Sequence, residues 1–280
     1  MSSGLNIPDS PRQQYLALCI SVKDQNKDIR EWIEYHEQLG VGLFYIVDNN
    51  SKSPLLPIIS DFIKRGLVQY ELLQHFRHPT NRAQPYVYDR CLAEHGRKHK
   101  FIGFIDADEF VVLKNTSTPD LPSFLQQYEE YGGLAINWRL FGSSGHITRP
   151  EGSTVQSYTR CNPEWSPVNV HVKTFVNTEF AVSSGGDPHH FVYVKDKYAV
   201  NEAYEPVFGA LASHISMQQV LIQHYVIKSW EDFRDKQLRG SGMGNHRPAH
   251  FWDEIEQEAT EDCTDLADFK LQQPVSTLLR

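Results

Sequence analysis

Phe101-Ile102-Gly103-Phe104-Ile105-Asp106-Ala107-Asp108-Glu109-Phe110 is the stretch on which the reading of this chain turns. A short apolar run (FIGFI) ends in three acids, the pattern of a strand buried on both faces that delivers carboxylates to its carboxyl end. In extended chain, alternate residues share a side, so the pattern predicts that Asp106 and Asp108 converge while Glu109 points elsewhere. Two converging carboxylates repel one another, and a hard divalent cation between them relieves the repulsion. The competing reading is a solvated acidic turn after a strand. The apolar run before the acids weighs toward the cation.

Working outward, the preceding residues alternate between two periods. Residues 15–22 (YLALCISV) form a near-continuous apolar run, again a strand covered on both faces. Asp28 with Glu31 three residues on predicts a capping box, Ile29, Trp32, Ile33 and Leu39 fall on one helical face, and Gly40 supplies the stop. A second strand at 43–47 ends in Asp48-Asn49-Asn50-Ser51, and a helix at about 55–64 closes on Gly66. A third strand at about 67–72 and a helix at 83–95 lead to the acid-bearing strand. This alternation predicts an α/β fold, Rossmann-like, with a mainly parallel sheet and helices on both faces. Ligands of such sheets sit at the carboxyl ends of the strands, which places Lys23, Asp48 and Asp106 on one rim.

Beyond about residue 132 the pattern becomes irregular. Short β-type runs at 134–141, 154–159, 168–176 and 191–194 lie between Gly-, Ser-, Pro- and Asn-rich loops. A strand at 220–227 then meets a helix beginning at Ser229, with Asp232 as its capping partner. With no internal repeat and no linker, one domain is expected: a ligand-binding half at about 15–132, a β-rich second half at about 133–242, and a helical tail at 243–280.

Composition narrows the partners. The 280 residues carry a formal charge of −8, which argues against nucleic acid or an anionic membrane as partner but not against a small anion in a local basic patch. No apolar stretch approaches the ~18 residues of a membrane span. The opening MSSGLNIPDSPRQQ lacks the layout of a signal peptide, so a complete chain is expected to work in the cytoplasm, and one trimmed of an anchor would read the same. Cys19, Cys91, Cys161 and Cys263 are widely spaced with no C-x-x-C pair, and reduced thiols are expected rather than a disulfide framework or zinc site.

The acid pair, together with EWIEYH at 31–36, LGV at 39–41, VDNNS at 47–51, Gln84 and Tyr88, WRLFGSSGH at 138–146, His224-Tyr225, Lys228-Ser229 and Lys236-x-x-Arg239-Gly240, resembles glycosyltransferase family 92 and its relatives in the wider family 2 group. These pieces run in order over about residues 15–242. The resemblance implies the A-type glycosyltransferase fold. It implies a metal-dependent, inverting transfer from a UDP-sugar, with xylose or galactose as leading donors, to a glycan hydroxyl. It further implies that Asp48 and the strand end carrying Ser21 and Lys23 hold uracil and ribose. Asp108 would bind the metal directly, Asp106 would bind it through water or sit near the ribose, and His224 would be the third ligand. Trp138 and residues 141–146 would form a platform for the sugar or acceptor.

The chemistry of these residue types agrees. A divalent ion bridging a departing diphosphate acts as a Lewis acid, and carboxylates with one imidazole favour Mn2+, with Mg2+ as the alternative. Lys228 beside the helix start at Ser229 is the preferred partner for the diphosphate, with Lys236 and Arg239 as alternatives. Gln84 and Tyr88, one helical turn apart, would line one pocket. An inverting transfer needs a base to deprotonate the acceptor. Asp187, in a glycine-flanked loop, is preferred over His146, Glu164 and Glu205. Several of these residues have plain structural alternatives: an Asx-turn for Asp48, a turn before proline for Asp187, a core ring for Tyr88 and Trp138, a satisfied core imidazole for His224. His189-His190 is not read as a zinc pair, because neighbours in a strand point apart. A nucleotide-sugar hydrolase and a catalytically silent glycan- or nucleotide-sugar-binding module are the competing functions, and divalent-dependent donor turnover separates the module from the transferase.

Overall fold

The apolar run at 15–22 becomes strand β1 (Leu16–Val22), and its alternation shows why both faces are apolar. Leu18 and Ile20 pack with Trp32, Ile33, Ile59 and Phe62, whereas Ala17 and Cys19 pack on the other face with Val87, Tyr88 and Cys91. Each Leu, Ile, Val or Phe side chain so removed from water contributes about 1.5–3 kcal/mol. The computed structural model describes residues 14–74, 76, 82–114 and 116–269. In its first half follow helix α1 (Ile29–Gln38), β2 (Leu43–Asp48), α2 (Leu56–Lys64), β3 (Val68–Leu72), α3 (Ala83–His95), β4 (Phe101–Gly103) and β5 (Glu109–Leu113). Helices α1 and α2 cover one face and α3 the other, as the alternation predicts. Gly40, at φ +98°, takes the left-handed position that ends α1.

The second half adds α4 (Leu121–Leu125), β6 (Gly133–Leu140), α5 (Thr154–Ser157), β7 (Arg160–Cys161) and β8 (Val172–Asn177). The short strands β9 (Ala181–Ser183), β10 (Val192–Tyr193), β11 (Ala199–Val200) and β12 (Pro206–Val207) precede β13 (Val220–His224), α6 (Trp230–Arg239), α7 (His250–Glu258) and β14 (Glu261–Asp262). The main sheet runs β12-β11-β6-β8-β4-β1-β2-β3, with β13 joining β6 and β5. Strands β4, β1, β2 and β3 are all parallel neighbours. β8 runs antiparallel to both β4 and β6, and β13 is parallel to β6 but antiparallel to β5. The parallel half therefore matches the expected α/β architecture, and the mixed half surrounds its carboxyl rim.

Four local expectations are corrected. Asp28 does not cap α1. Its carboxylate instead meets Arg149 and Lys228, each at 2.6 Å, and Glu31 accepts from Ser153 Oγ and the Thr154 N–H. The strand expected at 154–159 is the single-turn α5, begun by Ser153, whose hydroxyl accepts from the Gln156 N–H. The tail is not simply helical, because β14 pairs with β7. That pairing brings Cys161 and Cys263 together as a disulfide across 102 residues, a separation from which spacing offers no hint. Cys19 and Cys91 remain buried free thiols. Among the described residues no helix is long and apolar enough to cross a membrane.

Candidate active site

At the carboxyl rim lies a cleft of about 430 Å³, lined by Ser21, Lys23, Asn49, Asn50, Gln84, Asp106, Asp108 and His224 on the sheet side. Lys236, Arg239 and the loop from Gly240 to Arg247 close it from the C-terminal side. Strand β4 stops at Gly103, earlier than the sequence suggests, and residues 106–109 form a turn in which Asp106 O accepts from the Glu109 N–H at 3.0 Å. The rule that alternate residues share a side fails in a turn. Asp106 and Asp108 reach the same cleft but are held by different cations.

Asp106 has both oxygens engaged: Gln84 Nε2 donates to one at 2.5 Å and Lys173 Nζ to the other at 2.8 Å. Burial opposes charge on Asp106, and the Lys173 ammonium outweighs it, so the carboxyl lies below its usual range. Lys173 is itself only 1% exposed, and Asp106 and Glu109 raise its pKa against the effect of burial. Asp108 receives Lys236 Nζ at 2.6 Å on Oδ2, while its Oδ1 lies 3.7 Å from His224 Nε2. Burial works against the Asp108 charge too, and Lys236, His224 and Lys228 hold it well below the carboxylate range. Burial pushes Lys236 down to about 8, His224 down to about 3 and Glu109 up to about 8.

These distances test the expected metal. The gap between Asp108 Oδ1 and His224 Nε2 is too long for a hydrogen bond and wide enough for a cation bonded to each at about 2.0–2.2 Å. The low pKa keeps the imidazole neutral, as a ligand must be. Lys236 shows that the other Asp108 oxygen accepts a cation. Asp108 and His224 thus fit as two ligands, and Asp106, fully occupied, does not fit as a direct third. Among the described residues no three His, Cys, Asp or Glu side chains form a ready-made metal group.

The other expected residues divide. Ser21, Lys23 and Gln84 line the cleft. Gln84 also donates to Tyr88 Oη at 2.8 Å, and Tyr88 is a fully buried core ring. Asp48 is turned inward: its carboxylate accepts from the N–H groups of Ser51 and Leu55 and from Tyr70 Oη, so it builds the turn that presents Asn49 and Asn50. Lys228 faces Asp28 rather than the cleft, with a backbone φ of +56° that steers it there. Asp187 is spent on the His189 N–H at 2.7 Å and lies near His190 Nδ1, and it does not line the cleft. The Trp138 ring is flanked by His171 in a stacked arrangement at 4.8 Å and by His224 at 4.7 Å, so it supports those rings instead of offering a platform. In the loop at 141–146, Ser143 binds Glu256 and His146 meets Ser157 O, which makes it a structural joint.

Two side chains of the site, Lys173 and Arg247, escaped sequence reasoning. Lys173 sits in an apolar strand with no motif around it. Arg247 lies in a loop beyond the matched motifs, packs on the Phe251 ring at 4.4 Å and lines the cleft. His189, not read as a zinc ligand, has its ring 5.4 Å from Trp138 and its Nδ1 2.9 Å from Val172 O, and it does not line the cleft. Glycine offered one signal for the loop. A Cβ at Gly242 would stand 3.0 Å from the Gln84 side chain, so the close approach of this loop to the acid site needs a residue that small.

A strand-end acid pair thus faces Lys236, Arg239 and Arg247 across the carboxyl rim of an α/β sheet. The sequence matches the model of glycosyltransferase family 92 over residues 14–263, and the chain belongs to that family. A glycosyltransferase family 92 protein of Oryza sativa subsp. japonica is 26% identical over 227 residues, covering 79% of this chain and 35% of that protein. One from Arabidopsis thaliana is 25% identical over 239 residues, 80% of this chain and 37% of its own length. The chain thus spans little more than a third of these relatives. Among solved structures, S. aureus TarS 1-349 in complex with UDP-GlcNAc superposes at a TM-score of 0.39 with 12% identity, over 72% of this chain and 61% of that one. HddC from Yersinia pseudotuberculosis gives 0.37 and 12%, over 78% and 96%.

Proposed function

We propose that this chain is a glycosyltransferase domain that transfers a sugar from a UDP-sugar, xylose or galactose foremost, to a glycan hydroxyl. The observation that carries this reading is the charge distribution of the cleft: behind the acids stand Arg239 and Arg247, which among the described residues have no carboxylate partner within ion-pair distance. Half-buried cations without a carboxylate partner in a cleft suit an anion, and a diphosphate supplies it. Ser21, Lys23, Asn49 and Asn50 line the end suited to uracil and ribose. Asp108 and His224 hold Mn2+ or Mg2+, and Gln84 and Lys173 keep Asp106 beside the ribose. When bound, the ion supplies Lewis acidity to the departing diphosphate. Lys236, Arg239 and Arg247 bind and orient the phosphates. An inverting transfer would need a base at the acceptor hydroxyl, and neither Asp187 nor His189 lines the cleft. The disulfide supports an oxidising compartment over the cytoplasm.

The test is a panel of nucleotide sugars with Mn2+ or chelator, scored by release of free nucleotide. UDP release from one UDP-sugar, lost in chelator, is expected. Asp108→Asn should lower turnover at least about a hundredfold, near 2.7 kcal/mol of activation free energy, with its circular dichroism unchanged. No release from any donor, with or without glycan acceptors, overturns the transferase reading. Full activity in chelator overturns the metal.

A further inference from the structure

Glu109 is fully buried, and the reaction just described gives it no role. Its neighbours divide its two oxygens. Oε2 accepts the Asp106 N–H at 2.8 Å and faces the Lys173 ammonium at 3.6 Å. Oε1 has no hydrogen-bond partner, and 3.6 Å from it stands His224 Nδ1, equally buried and equally without one. Buried polar atoms left unpaired are rare and costly. These two face one another at 3.6 Å, beyond hydrogen-bond length, and a shift of roughly 0.5 Å would pair them. Strand pairing puts them there: Glu109 and His224 are directly opposed partners across β5 and β13, and the Tyr225 N–H clamps Asp108 O at 2.8 Å beside them. On the far edge of the same imidazole, Nε2 lies 3.7 Å from Asp108 Oδ1. The two acids therefore address opposite nitrogens and cannot chelate one ion together.

We propose that Glu109 is the positioning residue of His224, accepting its Nδ1–H and so holding the tautomer whose bare Nε2 faces Asp108 and the cleft. A ligating imidazole commonly gives its other N–H to a carboxylate, which fixes the ring and its tautomer. Here that carboxylate comes from the turn that carries the acids, so one turn sets both Asp108 and the orientation of its partner ligand. The role rests on the reading that Asp108 and His224 hold the cation.

Glu109→Gln is the informative change because it keeps the shape. The two donors at the Oε2 position, the Asp106 N–H and Lys173, draw the amide oxygen to themselves and leave the amide NH2 facing Nδ1. The imidazole must then present a lone pair there and carry its proton on Nε2, where a cation cannot bind. Nitrogen-15 NMR of histidine-labelled whole chain in the absence of metal reads this directly, with His224→Asn used to assign the signal. It is recorded at about pH 9, where carboxylates are ionised. Nδ1–H in the native chain and Nε2–H in Glu109→Gln are expected. Mn2+ affinity, followed by electron paramagnetic resonance, should fall about 10- to 100-fold in the variant. A role confined to stability would lower the melting temperature and leave the tautomer alone. Nε2–H in the native chain overturns the proposal, as does a variant that keeps Nδ1–H or binds Mn2+ within twofold of native. If the tautomer switches as expected but native and His224→Asn bind Mn2+ equally, the metal reading beneath it falls, and Glu109 orients an imidazole with no cation to serve.

Discussion

Two charged clusters stand side by side in this fold, sharing Asp108, Lys236 and Arg239 in their walls, and they are built on opposite principles. In one, Asp28 and Asp232 meet Arg149 and Lys228: Arg149 binds both acids, at 2.6 and 3.0 Å, and Lys228 binds Asp28 at 2.6 Å. Two acids answer two bases, and Tyr158 and Ser229 add hydrogen bonds to Asp232. In the other, Asp106, Asp108 and Glu109 share Lys173 and Lys236, yet Arg239 and Arg247 have no carboxylate within ion-pair distance among the described residues. A closed cluster fastens α1, α5 and α6 to one another. An open one has capacity for a ligand. Lys228, beside a helix start, belongs to the closed cluster and faces Asp28 instead of the larger cleft.

The largest effect expected from breaking this contrast is on stability. Asp28→Asn leaves Arg149 and Lys228 facing one acid fewer in a buried setting, which should cost about 3–5 kcal/mol in denaturant unfolding. UDP affinity of the folded variant should stay within twofold. A large loss of UDP affinity, with little loss of stability, would mean that the closed cluster is part of the binding site. Arg247→Ala reverses the pattern. It removes one charge-assisted contact to phosphate, worth about 1.5–3 kcal/mol, so UDP affinity measured by calorimetry should fall about ten- to a hundredfold. Its unfolding free energy should change little, since burial already disfavours the Arg247 charge. Unaltered UDP binding would close the open cluster and remove the case for a diphosphate.

The parallel half was legible because each of its features is local. Apolar runs, helical spacing and Gly40 lie within a few residues of what they determine, and the acids were found because a strand delivers them to a rim. The rest depends on contacts across the chain. Lys173 lies 67 residues from Asp106, and Lys236 lies 128 from Asp108. The turn at 106–109 reads in sequence as extended strand, and at Asp48 the Asx-turn competes with the ribose reading, because a polar side chain that satisfies its own backbone looks in sequence like one offered to a ligand. The Cys161–Cys263 pair shows the same limit, since only the β7–β14 ladder brings the two together.

The smallest expected effect is the acid response of the closed cluster. Burial alone would raise the Asp28 carboxyl; Lys228 and Arg149, by charge and hydrogen bonds, bring it instead from 3.8 to about 2. Around it, Asp232 leans on Arg149 and Ser229, Glu31 is turned to the start of α5, and Thr154 Oγ1 donates at 3.3 Å. A carboxyl with a depressed folded pKa binds fewer protons folded than unfolded, so its stabilisation is whole above the unfolded value and fades as pH falls toward the folded one. A difference of roughly 1.8 pH units corresponds to about 2 kcal/mol. Unfolding free energies of the native chain and Asp28→Asn, compared from pH ~6 down to pH ~2, cancel the titrations the two share. Their difference should be constant above pH ~5 and narrow by about 2 kcal/mol by pH ~2. If it stays constant throughout, Asp28 draws no net advantage from its two cations, and the stability of the closed cluster lies in its hydrogen bonds and packing.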